Sequence, residues 1–235
     1  DYGSAEGNKV FVKGGTAQTV YGGKTAHNGN VTNNIVEVTG GTVHQSIYGG
    51  DASDGSGKAE WNTVTLTSGT AGGDIYGGLA SSGDATKNTV NINGGDLNDH
   101  DVYGGWTTSG NATGNTVTIK GNGGTVKEII GGRSNSGNAT GNTVNLGDGT
   151  SDFTTGITGT ISGGSGATYG NDYMTGNTLN VYDNVSASDI RNFAELNFRF
   201  NSFVTKTDSF LTLSNTSGTT IRSLSDINVH GAHAM

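Results

Sequence analysis

Short stretches of alternating polar and apolar residues return along this chain at an almost fixed spacing. Each begins with Asn, as in Asn-Thr-Val-Thr-Leu at 62–66, and copies begin at positions 8, 34, 88, 115, 142 and 177. Alternation places every second residue of a strand on one face, so Val64 and Leu66 are predicted to point inward together with Asn62. The intervening Thr63 and Thr65 are predicted to face water.

The inward Asn side chains are predicted to stack from coil to coil. A buried amide both donates and accepts, so an Asn ladder can satisfy its own members and the backbone at a bend. The predicted structural ladder consists of Asn34, Asn62, Asn88, Asn115, Asn142 and Asn177.

A second phrase, Val/Ile-Tyr-Gly-Gly, is interleaved with the first. Its first position is always Val or Ile and is predicted to lie in the core, whereas its second position varies and is predicted to face outward. The paired glycines, such as Gly104 and Gly105, are predicted to form a turn. Steps of 27, 28, 27, 27 and 32 residues separate the second positions, which are Tyr21, Tyr48, Tyr76, Tyr103, Ile130 and Ser162.

A fixed period of this size is typical of a solenoid in which each repeat forms one coil. Thr, Asn, Val and Ile dominate over helix-forming residues, so the predicted fold class is all-β, a single-stranded parallel β-helix with coils of about 27 residues. Each coil is predicted to have two main strands and a short third side, and six or seven coils are expected. The longer step from Asn142 to Asn177 predicts a protruding insertion at 147–159.

The glycine rhythm stops near residue 185, and the chain becomes richer in aromatic residues. We therefore predict two parts, the repeats at 1–184 and a C-terminal cap at 185–235 that continues the same stack and covers its last coil. The apolar residues of the predicted cap include Phe193, Leu196, Phe198, Phe200, Phe203, Phe210, Leu211, Leu213, Ile221, Leu224, Ile227 and Val229.

Composition and charge exclude several classes of partner and chemistry. The formal net charge is −8, and the 12 Lys and Arg residues form no run, which argues against nucleic acid as a partner. The chain contains no Cys, so disulfides and thiol chemistry are excluded. It begins at Asp1 without Met or a signal-like segment, and we expect a mature or excised portion of a longer protein.

Together the repeats and the tail resemble a known family. The Val/Ile-Tyr-Gly-Gly and Asn-Ala-Thr-Gly-Asn-Thr-Val phrases resemble passenger repeats of bacterial autotransporters of the type V secretion class. The tail, with Arg-Asn-Phe-Ala-Glu-Leu-Asn-Phe-Arg-Phe at 191–200 and Asp-Ser-Phe-Leu-Thr-Leu at 208–213, resembles the autochaperone segment before the membrane barrel of those proteins. The barrel itself is not found in this chain, so the resemblance implies a passenger alone.

The resemblance implies a right-handed β-helix that is exported through the outer membrane and then secreted or displayed on the bacterial surface. It implies a non-catalytic adhesin or virulence factor whose partner is a host-cell receptor or glycan, or a neighbouring bacterium through self-association. Two alternatives stay open: a released soluble ligand that signals through a host receptor, and a carbohydrate-active β-helix enzyme.

The best candidate for binding is the outward aromatic row, because stacked rings form a flat amphipathic strip suited to sugars or proteins. The alternative is that the rings stack on one another and only stabilise the coils. The candidate binding residues are Tyr21, Tyr48, Tyr76, Tyr103 and Trp106.

Other candidates carry less weight. Outward Thr residues form a regular array, which we attribute to strand propensity. The acidic turn at 49–55 is not repeated as a calcium motif would be, and His230 and His233 make a weak metal site. Asp99, His100 and Asp101 are adjacent, so at most two can converge. We predict no catalytic residues, no metal site and no cofactor.

Overall fold

The computed structural model describes residues 3–199, 209–215 and 226–230 of the chain. Within these residues the regular structure consists of 24 β-strands and includes no helix. Parallel strands stack as a β-solenoid of about eight coils with a spacing of about 27 residues, which confirms the predicted all-β parallel β-helix. The number of coils exceeds the predicted six or seven because strands of the tail continue the stack.

The short sheet forms the small side of the first coils. Its strands are two residues long, and each begins with a small apolar residue that is buried or half-buried in a tight corner. In the part of the chain that is described, it contains β1 (Ala5–Glu6), β4 (Val31–Thr32), β7 (Ala59–Glu60), β10 (Ala85–Thr86) and β13 (Ala112–Thr113).

The asparagine sheet contains the Asn-Thr-Val strands. Its described strands pair in parallel, and the same position of each phrase aligns from coil to coil, as Val64 does with Val90. They are β2 (Lys9–Ala17), β5 (Ile35–Val43), β8 (Thr63–Ala71), β11 (Thr89–Ile92), β14 (Thr116–Ile119), β16 (Thr143–Leu146), β19 (Thr178–Val181), β22 (Glu195–Arg199) and β24 (Asp226–His230).

The tyrosine sheet contains the Val/Ile-Tyr-Gly-Gly strands and closes each coil. Its described strands are β3 (Val20–Lys24), β6 (Ile47–Ala52), β9 (Ile75–Ala80), β12 (His100–Thr107), β15 (Thr125–Ser134), β18 (Thr160–Ser165) and β21 (Asp189–Arg191), with β17 (Gly156–Ile157) paired to β15. The first position of the phrase is buried in every coil, as predicted.

The core lies between the asparagine and tyrosine sheets, and the predicted alternation is confirmed. Val64 and Leu66 are fully buried together with Asn62, while Thr63 and Thr65 remain partly exposed on the outer face. The main core cluster consists mostly of Val, Ile and Leu side chains and runs along the stack, and a smaller cluster of Ala and Val residues lies beside the short sheet.

The Asn ladder is confirmed in every predicted coil. Oδ1 of Asn115 accepts from the backbone N of Asn88 at 3.0 Å and from its Nδ2 at 3.1 Å, and Nδ2 of Asn115 donates in turn to Oδ1 of Asn142 and to the carbonyl of Ala85. Each amide thus joins three neighbouring coil segments, and all of its buried polar atoms have partners. Asn8 begins the ladder, and its Nδ2 donates to Asn34.

The glycine pairs lie inside strands, so their assignment to turns is wrong. Gly104 and Gly105 belong to β12. A Cβ on Gly105 would lie 2.6 Å from Nδ2 of Asn115, and a Cβ on Gly104 would lie 2.3 Å from the carbonyl oxygen of Gly131. The pair is Gly because the Asn ladder and the next coil approach this strand too closely for any side chain.

The insertion at 147–159 returns to the stack at its second end. β17 pairs with β15 there, and the hydroxyl of Thr155 is buried and accepts from the backbone N of Gly123 at 3.0 Å. The protruding part of this predicted loop is therefore confined to its exposed middle residues, 150–152.

The tail continues the stack in the part that is described. β21 and β22 pair in parallel with β18 and β19, and β24 pairs with β22. A further pair joins β20 (Val185–Ala187) to β23 (Leu211–Leu213). Four residues of the predicted cap lie outside the described residues, namely Phe200, Phe203, Ile221 and Leu224, and so does the side chain of Ile227. His233 of the weak metal candidate also lies outside them.

Candidate binding face

The outward column of the tyrosine sheet is aligned by the register of its strands. Equivalent positions of successive coils are held by Tyr21, Tyr48, Tyr76, Tyr103, Ile130, Ser162 and Arg191. The centroids of neighbouring tyrosine rings are 4.9, 4.9 and 5.0 Å apart, and their planes are within 7° of parallel. The rings stack because this distance is close to the spacing of adjacent strands.

The rings are not exposed along the whole row, and this part of the prediction is wrong. Tyr76 and Tyr103 have only 6% and 3% of their surface exposed, whereas Tyr21 and Tyr48 remain partly exposed. Trp106 covers the two buried rings, with its ring centroid 5.6 Å from that of Tyr76 and 5.2 Å from that of Tyr103. The alternative interpretation, in which the rings stabilise the coils by stacking, is confirmed for this middle part of the row.

Aspartates two positions before the buried tyrosines fix their hydroxyl groups. The hydroxyl of Tyr76 donates to Oδ2 of Asp74 and that of Tyr103 donates to Oδ2 of Asp101, both at 3.0 Å. The other carboxylate oxygen accepts from the backbone of the following coil, since Oδ1 of Asp74 bonds the N of Asp101. Oδ1 of Asp101 does the same for the N of Glu128 at 3.2 Å. The row therefore has its own polar ladder beside the rings.

This environment keeps the tyrosines protonated. Burial raises the pKa of Tyr76 and Tyr103 well above the usual value, and the neighbouring carboxylates of Asp74 and Asp101 raise it further. The pKa of Tyr48 is also raised, chiefly by burial. At neutral pH these hydroxyls act as hydrogen-bond donors and do not serve as bases.

A second column runs beside the rings, three positions later in each strand. It holds Lys24, Asp51, Leu79, Trp106 and Arg133. Nζ of Lys24 lies 2.9 Å from Oδ2 of the buried Asp51 and 4.7 Å from the centroid of the Tyr21 ring. The hydrogen bond to Asp51 raises the pKa of Lys24. This pair borders the exposed end of the row.

A shallow groove of about 410 Å³ lies over the partly exposed rings of Tyr21 and Tyr48. The aromatic floor is rimmed by side chains that donate and accept hydrogen bonds. Oγ1 of Thr19 donates to Oε1 of Gln45 at 2.7 Å across neighbouring coils, so part of the rim is held in place. The polar rim contains Thr19, His44, Gln45, Ser46, Asp74 and His100.

The other predicted candidates lie apart from one another. His100 lines the groove, and its Nδ1 lies 3.6 Å from Oδ1 of Asp74. Asp101 instead accepts from the hydroxyl of Tyr103. Asp99 accepts from Oγ1 of Thr158 at 2.7 Å. The acidic turn at 49–55 contributes Asp51 to the pair with Lys24. Among the residues that the structure describes, no group of three or more His, Cys, Asp and Glu side chains is arranged to hold a metal ion.

The roles of Asp74, Asp101 and the Lys24–Asp51 pair were not predicted from the sequence. A signal for the first two exists, because an aspartate precedes the tyrosine by two positions in both buried coils. Residues two apart on a strand share a face, so this spacing brings a carboxylate close to the phenol.

Comparisons with protein-family models, with curated proteins and with solved structures found no match to this chain. In residues 3–199, 209–215 and 226–230, no helix is long and apolar enough to cross a membrane.

Proposed function

We propose that this chain is a non-catalytic binding protein that contacts a host-cell surface protein or glycan through the groove over Tyr21 and Tyr48. We further propose that it is the passenger of an autotransporter, exported through the outer membrane and then displayed or released. The parallel solenoid is compatible with such a passenger, and the resemblance of the repeats and of the tail supports the class.

The groove is the observation that carries the proposal. Two partly exposed, stacked rings provide a flat apolar surface, and the rim offers hydroxyl, amide, imidazole and carboxylate groups within the same concavity. Aromatic surface surrounded by polar groups is the composition that binding sites for proteins and sugars share.

Rigidity favours binding at this end of the row. Tyr48 stacks on Tyr76, which is buried and bonded to Asp74, so the floor of the groove continues into fixed structure. Binding to an ordered surface costs less conformational entropy than binding to a surface whose flexible side chains must first become ordered.

The proposal is tested by changing the groove without changing the stack. The double variant His44→Ala/Gln45→Ala removes two exposed rim side chains, and Tyr21→Ala removes one ring of the floor. We expect each to weaken binding of the purified protein to cultured epithelial cells or to arrayed mammalian glycans at least about tenfold, as loss of an interface anchor does.

Tyr169→Ala is the matched control, because this tyrosine is fully exposed and lies outside the groove. Thermal unfolding of every variant shows whether the stack is intact. Binding by the wild type that survives both groove variants would contradict the proposal, as would the absence of binding to any cell or glycan.

A further inference from the structure

A polar pocket of about 280 Å³ opens on the tyrosine sheet where the row of rings ends. The column position after Tyr103 is held by Ile130, then by Ser162 and then by Arg191. Ser162 fills far less of its position than a tyrosine ring would. The pocket therefore lies at the point in the column where rings no longer fill the outer face.

The walls of the pocket are held by bonds to fixed structure. The ring of Tyr173 forms one side; its hydroxyl donates to the carbonyl of Thr168, and its own carbonyl accepts from Nδ2 of Asn177 at 2.7 Å. Asn192 forms another part of the wall, and its Nδ2 donates to the carbonyl of Gly164 at 2.7 Å. These contacts exist before any ligand binds.

The remaining lining presents both hydrogen-bond donors and acceptors. Hydroxyl groups come from Thr160, Ser162 and Ser165, and a carboxylate comes from Glu128. Ile130, with 2% of its surface exposed, supplies an apolar part of the lining. Aromatic, apolar and hydroxyl-binding groups thus share a small concavity.

Charge decides which class of ligand fits. Nε of Arg191 donates to Oδ2 of the buried Asp189 at 2.7 Å, which uses one of the five guanidinium N–H groups and balances its charge. The carboxylate of Glu128 adds negative charge, and Arg133, which pairs in register with the lining residue Ser165, adds positive charge, so these four groups together carry no net charge at neutral pH. Such a pocket has no net positive charge to select an anion, while it still offers donors to neutral hydroxyl groups.

We propose that this pocket binds a single neutral sugar ring, either free or as one unit of a glycan. A pyranose has the alternating hydroxyl donors and acceptors that Glu128, Arg191 and the Ser/Thr hydroxyls complement, and an apolar ring face for Tyr173. The volume is just below the ~300 Å³ at which pockets for drug-sized ligands begin, which suits one ring.

The pocket is distinct from the groove over Tyr21 and Tyr48, with which it shares no lining residue. Buried Tyr103 and the coil of Asp101 lie between them. The inference therefore holds whether or not the groove binds a protein or glycan partner.

Ser162→Tyr tests the proposal by placing a tyrosine ring at the column position that Ser162 holds. We expect the methyl glycosides of glucose, galactose and mannose, together with N-acetylglucosamine, to include at least one that binds the wild type in ligand-observed NMR titrations. The affinity for that sugar should fall at least tenfold in Ser162→Tyr, because the new ring fills the pocket.

A second variant keeps the test valid if Ser162→Tyr does not fold. Glu128→Gln retains shape but replaces a strong acceptor, and we expect a loss of threefold or more. Lys127→Ala is the matched control, since Lys127 is exposed and outside the lining. Binding to His44→Ala/Gln45→Ala should equal that of the wild type, which separates this site from the groove.

The sugar-binding proposal fails if none of the four sugars binds the wild type at millimolar concentration. It also fails if glucuronate or sialic acid binds more tightly than they do, or if a folded Ser162→Tyr or Glu128→Gln variant binds as the wild type does.

Discussion

Two columns of side chains run along the same coils and obey different rules. The Asn ladder is buried from Asn34 to Asn177, with the exposed Asn8 as its first member, and it continues without interruption through the coil in which 35 residues separate its last two members. The tyrosine row lies outside and stops at Tyr103, where Ile and then Ser take its place. The period is shared, but the tolerance to substitution is not.

The difference follows from what each column must satisfy. A buried amide that loses its neighbour leaves donors and acceptors unpaired in the core, at a cost of about 1–3 kcal/mol for each group. A ring on the outer face loses stacking and contact area, and another apolar side chain can replace much of that. The inner column is therefore uniform, and the outer column is free to form different surfaces, here a groove at one end and a pocket at the other.

The strongest test of this comparison is Asn115→Ala. The substitution leaves the backbone N of Asn88 and the carbonyl of Ala85 without their side-chain partners, and Oδ1 of Asn142 loses one donor. We expect a loss of about 3–5 kcal/mol in the free energy of unfolding, from several unsatisfied buried groups. Urea denaturation monitored by circular dichroism measures it. A loss below about 1 kcal/mol would show that the inner ladder tolerates gaps.

Gly105→Ala sharpens the comparison at the contact between the columns. Its Cβ would lie 2.6 Å from Nδ2 of Asn115, so the strand or the ladder must shift. We expect a loss of about 1–3 kcal/mol, as for other overpacked sites. Gly114→Ala is the control, because its Cβ would meet nothing closer than 3.5 Å, although its φ of +66° carries a strain of about 1 kcal/mol. If Gly105→Ala cost no more than Gly114→Ala, the close approach of the Asn115 amide would not explain why glycine recurs at this position of the repeat.

Tyr103→Phe gives the smallest expected effect. The ring stays stacked between Tyr76 and Ile130, but the hydrogen bond to Asp101 is lost. We expect a loss of about 0.5–1.5 kcal/mol, the usual net contribution of one hydrogen bond. A thermal shift between wild type and variant measures it, with Tyr169→Phe on the exposed surface as the reference. A loss equal to that of Asn115→Ala would make the outer column as demanding as the inner one.

Much of the fold was predictable because period-two alternation and a 27-residue repeat both act locally. Val64, Leu66 and Asn62 could be placed in the core from neighbours two positions away. The Asn ladder followed from the same alternation. Gly104 and Gly105 were misplaced because the atoms that exclude a side chain lie far along the chain, on the Gly131 carbonyl for Gly104 and on the Asn115 amide for Gly105. A glycine pair looks the same in the sequence whether it forms a turn or allows such a close approach.

The candidate site was predictable only in part. The tyrosine row and its stacking follow from the repeat, but its exposure does not, because Trp106 bends back over Tyr76 from the next coil. The hydrogen bond between Asp74 and Tyr76 could be predicted, because the two residues are two positions apart in the sequence. The pocket around Ser162 required Tyr173 from an irregular segment and Arg191 from the tail, which no repeat brings together.

The sequence by itself determined the coil, its period, the inner ladder and the outward column, since each is a consequence of alternation repeated at fixed steps. Only the tertiary structure decided which rings are covered and where the concavities lie. Those features depend on side chains from different coils and on insertions that break the repeat. Their positions are set by packing between side chains of neighbouring coils, and the spacing of residues along the chain does not predict that packing.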